Sequence, residues 1–247
     1  MRALAGVLYL LAAPRIRAQE ADAGHVARPE RPTVATHAFA VATGYLEIES
    51  GFAHIQQEGE RDASVIVTSK LGIADRLQLT LTTSVTSASP GVTAADPVFA
   101  GVKWQLTSER EHLPTFALLP GVTFANGPRR AADAALSLIG ILSQDVGPVS
   151  MDLNVAATRL NGVSGHVPYL WTASFGGALA GPFGWGLELS GSAGSDGTNP
   201  DQMLGYVGYT VKPWLVLDAG WSAPPSGAGA KTLFVGATYN VGRVFKR

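Results

Sequence analysis

From residue 43 to the end of the chain, apolar and polar side chains alternate with a period of two. Successive side chains of a strand point to opposite faces, so the pattern predicts strands with one apolar face. Residues 76–82 show it most plainly. Leu77, Leu79 and Leu81 share one face; Arg76, Gln78, Thr80 and Thr82 share the other. Residues 45–52 set Leu46, Ile48 and Phe52 against Glu47 and Glu49. Residues 98–106 alternate Val98, Ala100, Val102, Trp104 and Leu106 with Phe99, Gly101, Lys103 and Gln105. Residues 151–158, 185–191, 214–221 and 233–241 repeat the scheme, with Asp152, Asn154, Glu188, Ser190, Asp218, Thr238 and Asn240 on the polar face. Two places resist. Pro120 falls inside the strand 116–124, where it removes a ladder hydrogen bond, and residues 136–142 are apolar on both faces. Either place could hold a bulge.

The connections alternate in length. Short turns fall at Ala74-Asp75, 145–148, 180–184 and Lys212-Pro213, with 107–113 slightly longer. Longer polar stretches fall at 87–96, 125–133, 161–167, 192–201 and 222–230, with a compact first one at 56–62. Six loops alternating with five turns require about twelve strands, an even count with both ends on the short-turn side. The predicted fold class is all-β, a closed antiparallel up-and-down transmembrane barrel. Aromatics support it. Tyr45, Trp104, Phe116, Trp185, Tyr209, Trp214 and Tyr239 fall near the turn ends, and Phe52, Phe124, Trp171 and Trp221 near the loop ends. Two such girdles suit a lipid-embedded barrel.

Composition sharpens this. Charged residues are 15% of the 247, below the roughly 25% of ordinary globular domains, and Gly is high at 29 residues. The longest apolar run, residues 3–13, is too short for the roughly 20 residues a spanning helix needs. With Arg2 before it, Pro14 after it and Ala18 ahead of Gln19, it reads as a signal peptide over residues 1–18. No Cys follows it, which argues against a lipid-anchored lipoprotein. Residues 19–42 are polar, carry Pro29 and Pro32 and show no period. They read as an extended periplasmic segment before the barrel, with a short lumenal plug as the alternative. Residues 43–247 form the barrel. Cleavage after Ala18 removes three Arg and no acid, leaving 15 basic against 19 acidic residues, a net charge of −4. That argues against a nucleic-acid partner. The absence of Cys rules out disulfides and thiolate metal sites.

The hairpins 71–77, 96–106, 144–148 and 209–218 resemble those of a family of outer-membrane transporters linked to the meta-pathway of phenol degradation. The resemblance covers residues 43–247. It implies a transporter-like barrel of the bacterial outer membrane, serving in some members the uptake of aromatic compounds. No binding residue is carried over. The C-terminus departs from the usual barrel ending, because Lys246 and Arg247 follow Phe245.

Candidate chemistry lies on the polar face, which points into the lumen. There we place Glu47, Glu49, Lys70, Arg76, Lys103, Asp152, Glu188 and Asp218. They could form a charged constriction that filters solutes, or a salt-bridged network that fills the lumen. Lys70, Arg76 and Lys103 lie towards the periplasmic end, which suggests an anion-attracting exit. An enzyme is not expected. Ser50 and His54 share a face but sit about 13 Å apart by strand rise. No cofactor or metal motif stands out. The expected partners are outer-membrane lipid, small-molecule solutes and, during biogenesis, the barrel-assembly machinery and periplasmic chaperones. The expected function is a passive channel or uptake porin for small molecules, with hydrophobic or aromatic compounds as the suggested class. A non-conducting structural barrel is the alternative, and an outer-membrane lipid hydrolase a more distant one.

Overall fold

The computed structural model describes residues 24–88, 92–95, 97–107, 113–124, 134–160, 169–194 and 197–246. The proposed signal peptide, residues 1–18, lies outside them. The strands are β1 (Tyr45–Gln57), β2 (Glu60–Ala74), β3 (Leu77–Ala88), β4 (Val92–Ala95), β5 (Val98–Gln105), β6 (Thr115–Phe124), β7 (Ala135–Val146), β8 (Val149–Leu160), β9 (Tyr169–Ala180), β10 (Phe183–Gly194), β11 (Gly197–Lys212), β12 (Leu215–Ala223) and β13 (Lys231–Arg243). Neighbours pair antiparallel in chain order, and β1 pairs with both β2 and β13. The sheet therefore closes on itself and leaves no open edge in lipid. β4 is not a stave. It pairs only with the outer end of β3, from Val85↔Ala95 to Ala88↔Val92, and β3 pairs directly with β5. Twelve strands make the wall.

The period of two sets the faces. Leu138, Val155, Leu187, Val207 and Leu217 point outward and are exposed, while the residues between them point into the lumen. Only a lipid solvent makes an apolar exterior and a polar interior stable together, so this is an outer-membrane barrel. Trp104, Phe116, Tyr209 and Tyr239 near the turn ends, and Phe52, Phe124, Trp171 and Trp221 near the loop ends, are exposed in the expected belts. Tyr45 differs. It is buried inside, with its ring beneath Gly24.

The two difficult places resolve without bulges. Pro120 pairs with Leu138 in an unbroken β6–β7 ladder. Towards β5 the pairing lapses between Gly101↔Gly121 and Trp104↔Leu118 and resumes in the same register. Proline lacks the N–H that a ladder bond needs, so the strand loses contact there without slipping. β7 pairs with β8 in continuous register from Ala135↔Leu160 to Val146↔Val149. Its second apolar face covers a lumenal cluster, described below. Two connections are shorter than their composition suggested. β1 and β2 leave only Glu58 and Gly59 between them, and β10 and β11 pair out to Gly194↔Gly197.

Leu187, beside inward Glu188 and half exposed to lipid, gives a test. Leu187→Arg should lower folding stability in lipid vesicles by about 2–4 kcal/mol. Urea titration followed by the migration of unheated samples on a gel checks it; an unchanged midpoint would contradict a lipid-facing Leu187.

Candidate functional site

The lumen is not empty. The described part of the segment expected to be periplasmic, residues 24–42, runs inside the barrel. It enters near the turn between β11 and β12, where the Ala27 N–H donates to Pro213 O at 2.8 Å. There the His25 ring stacks on Trp214, 6.0 Å between centroids. The segment climbs past the lower part of β1, crosses towards β10 and β8, and returns by β7, β5 and β3 to enter β1. Gly72 permits the last step. A Cβ there would stand 2.1 Å from Ala42 O.

This loop has no strand partner, so its peptide groups need other acceptors. The barrel's inward side chains supply them. The N–H of Arg28 donates to Glu47 at 2.8 Å and that of Glu30 to Glu49 at 2.7 Å. Val34 and Ala35 both donate to the Glu188 carboxylate, at 3.0 and 2.8 Å. Thr36 donates to Asn154 and receives the Asn154 amide in return. Ala38 donates to Ser143 at 2.7 Å, and the Ser143 hydroxyl donates on to Asp152. Ala40 and Val41 donate to Gln105 and Gln78. Asn240 donates to Gly24 O and Val26 O.

The charges form one cluster. The Lys70 ammonium lies 2.6 Å from Glu47 and 2.8 Å from Glu49, with Glu30 at 3.9 Å. Lys103 donates to the Glu30 carboxylate, to Thr36 Oγ1 and to His37 O. Both lysine side chains are fully buried. Unpaired, each would carry a heavy desolvation penalty, so the carboxylate from the segment is required by the wall as much as it requires the wall. Beside the charges, Ala38 packs on Ala117, Leu119 and Ile141, with Phe99 and Ile139 alongside. This cluster explains why β7 is apolar on both faces.

Of the eight predicted lumenal residues, Glu47, Glu49, Lys70, Lys103, Glu188 and Asp218 are buried, and Asp152 is half-buried beside Ser143. Arg76 is not among them. It sits in the β2–β3 turn at φ 59°, largely exposed and 3.7 Å from Asp75. Extending the alternation one residue too far into the turn placed it wrongly. The basic cluster behind the expected anion-attracting exit is not assembled. Lys70 and Lys103 are consumed by carboxylates, and Arg76 is outside.

Two cavities flank the segment. The outer one, about 550 Å³, is lined by apolar Phe99, Leu119, Ile139, Leu204 and Phe234 and by hydroxyls including Thr68 and Thr82. The inner one, about 330 Å³, is lined by Asp152, Tyr206, Asp218 and Arg31 on the β8–β12 side. Among the described residues no group of three or more acids or histidines could hold a metal ion.

No known protein family matches the sequence, and no curated protein does. Solved structures do match in fold. An outer membrane channel from Pseudomonas putida F1 is 12% identical with a TM-score of 0.62, over 86% of this chain and 99% of its own. The KdgM porin in complex with disordered oligogalacturonate is 12% identical with a TM-score of 0.54, over 77% and 98%. The NanC porin is 8% identical with a TM-score of 0.56, over 78% and 98%. The chain is thus similar in architecture to outer-membrane channel barrels.

Burial, with Lys103 nearby, pushes the His37 imidazole down from 6.5 to about 3. Burial alone would raise the Glu30 carboxyl, but Lys103 and Lys70 outweigh it and hold the group well below its usual 4.5. A released segment would therefore take up protons first at both sites. Docking is fully favoured above pH 6.5, weakens as pH falls from 6.5 towards 3, and loses Glu30's contribution as well below 4.5. In an NMR titration of the folded protein, the His37 ring should remain neutral from pH 7 to about 4. A midpoint near 6.5 would show that His37 is not held in the lumen.

Proposed function

We propose that the chain is a passive channel or uptake porin of the outer membrane, in which the N-terminal segment 24–42 forms the constriction. The observation that carries this reading is the pair of cavities on either side of the segment, one towards the external loops and one towards the short turns. A barrel built only as a structural post would gain from filling that space with side chains. The export reading belongs with it: residues 1–18 serve as the signal peptide, and assembly machinery and chaperones deliver the mature chain.

The outer cavity suggests the solute class. Phe99, Leu119, Ile139, Leu204 and Phe234 offer an apolar wall, and Thr and Ser hydroxyls offer neutral hydrogen bonds. A small, uncharged, partly apolar molecule, such as an aromatic alcohol, fits that lining. A polycarboxylate such as the oligogalacturonate bound by KdgM fits it poorly. At its floor the cavity presents Glu30 and Glu49 beside a single arginine, Arg31.

A second reading has support of its own. The segment's hydrogen bonds and ion pairs are dense enough to make a permanent plug, and the barrel would then be non-conducting. Liposome swelling separates the two. A channel predicts swelling with neutral solutes that falls off with solute size, and faster entry of phenol-like alcohols than of sugars of equal size. Swelling no faster than in protein-free liposomes would support the plug.

A further inference from the structure

One side chain lines both cavities: Arg31, just below the top of the segment. The cavities abut along the β11–β12 wall. Leu204 of β11 borders the outer one and Tyr206, two residues on and on the same face, borders the inner one. That is about 7 Å of strand. On β12, Ser222 borders the outer one and Asp218, four residues earlier on the same face, borders the inner one.

The wall beside this point is made for a guanidinium. Gly51 of β1 pairs with Gly236 of β13, and Gly236 pairs with Asp218 of β12. A Cβ on Gly51 would lie 2.0 Å from Arg31 Nη2, and one on Gly236 would lie 2.5 Å from Nε. The two glycines thus leave a seat in which the guanidinium rests against bare backbone, with Asp218 at its edge. The tether is slack. Nη2 reaches Asp218 Oδ1 at 3.4 Å, and Nε is buried without a hydrogen-bond partner. Glu30, one residue earlier, is gripped by Lys103 with Lys70 close by, and Ala35 and Thr36 are pinned at 2.8 and 2.7 Å. Arg31 is therefore loosely held where its neighbours are pinned.

Its charge matters as well. Around the inner cavity the other charged lining groups are Asp152 and Asp218. At the outer floor, Glu30 and Glu49 are already paired with Lys103 and Lys70, although Glu47 shares Lys70, so three carboxylates face two ammonium groups. A fixed charge in a narrow, poorly solvated lumen governs which ions enter, because it is little screened.

We propose that Arg31, seated on Gly51 and Gly236 and tethered to Asp218, is the specificity-determining residue of the passage between the two cavities. It narrows that passage, and its charge offsets Asp152 and Asp218 so that cations are held back. The proposal rests on the channel reading.

The chain has no Cys, so Arg31→Cys creates a single thiol. In planar bilayers under a salt gradient, this variant should conduct at least about twofold more than the parent, with its reversal potential shifted towards cations. A positively charged methanethiosulfonate reagent, added to the inserted protein, should reverse the shift. A negatively charged one should deepen it. Because the reagents act on protein already in the bilayer, altered folding cannot mimic this opposition. Gly236→Ala, which fills the seat and pushes the still-charged guanidinium off the wall into the passage, should lower conductance with little change in ion preference. The channel reading has its own control, a variant lacking residues 24–42. If the parent or this deletion carries current while Arg31→Cys behaves as the parent before and after both reagents, the channel stands and the assignment of Arg31 falls. Absence of current from the parent, the deletion and Arg31→Cys alike removes the channel reading itself.

Discussion

An extended peptide inside a β-barrel has no neighbouring strand, so its backbone must bond to side chains. In this protein that requirement organises the lumen. Glu47, Glu49, Gln78, Gln105, Ser143, Asn154 and Glu188 each accept a hydrogen bond from a backbone N–H of residues 28–41. Leaving such a donor buried and unmade costs about 1–3 kcal/mol each. The wall and the segment therefore form one structure. The same logic governs charge. Lys70 and Lys103 are tolerable at full burial because Glu30 from the segment joins Glu47 and Glu49 from the wall.

This changes the meaning of the lumenal acids. Facing an open pore, Glu47, Glu49 and Glu188 would act as a filter. Used as acceptors for peptide groups and counter-ions for lysine, they have little capacity left for a solute. Selectivity then passes to what the segment leaves over: the hydroxyl and apolar lining of the outer cavity, and the Arg31–Asp218 contact beside the inner one. The apolar cluster of Ala38 on Leu119 and Ile141 fastens the returning limb, so towards the short turns the space that remains lies on the β8–β12 side.

The wall was legible in the sequence because a strand writes its two faces directly into a period of two, and lipid outside sharpens the contrast. Strand ends were less legible. Arg76 continues the alternation by type while the backbone has already turned at φ 59°. The segment was hardest to place, since residues 24–42 pair with side chains at irregular intervals and carry no period. Two signals did point to it. Residues 136–142 are apolar on their inward face as well, which demands a cover, and the acceptors Glu47, Glu49, Gln78, Gln105, Ser143 and Asn154 face inward towards the short-turn half of the barrel or its middle. The Arg31 seat could not be read in advance. Gly51 and Gly236 become a pair only once β1 closes on β13.

Residues 28–41 are held in the lumen by hydrogen bonds to the wall. Amide hydrogen exchange on the folded protein in micelles measures this directly. The N–H groups of Arg28, Glu30, Val34, Ala35, Thr36, Ala38, Ala40 and Val41 should exchange slowly, on the timescale of the barrel strands. Exchange of these amides at the rate of an unstructured peptide, with the strands still protected, would contradict the account.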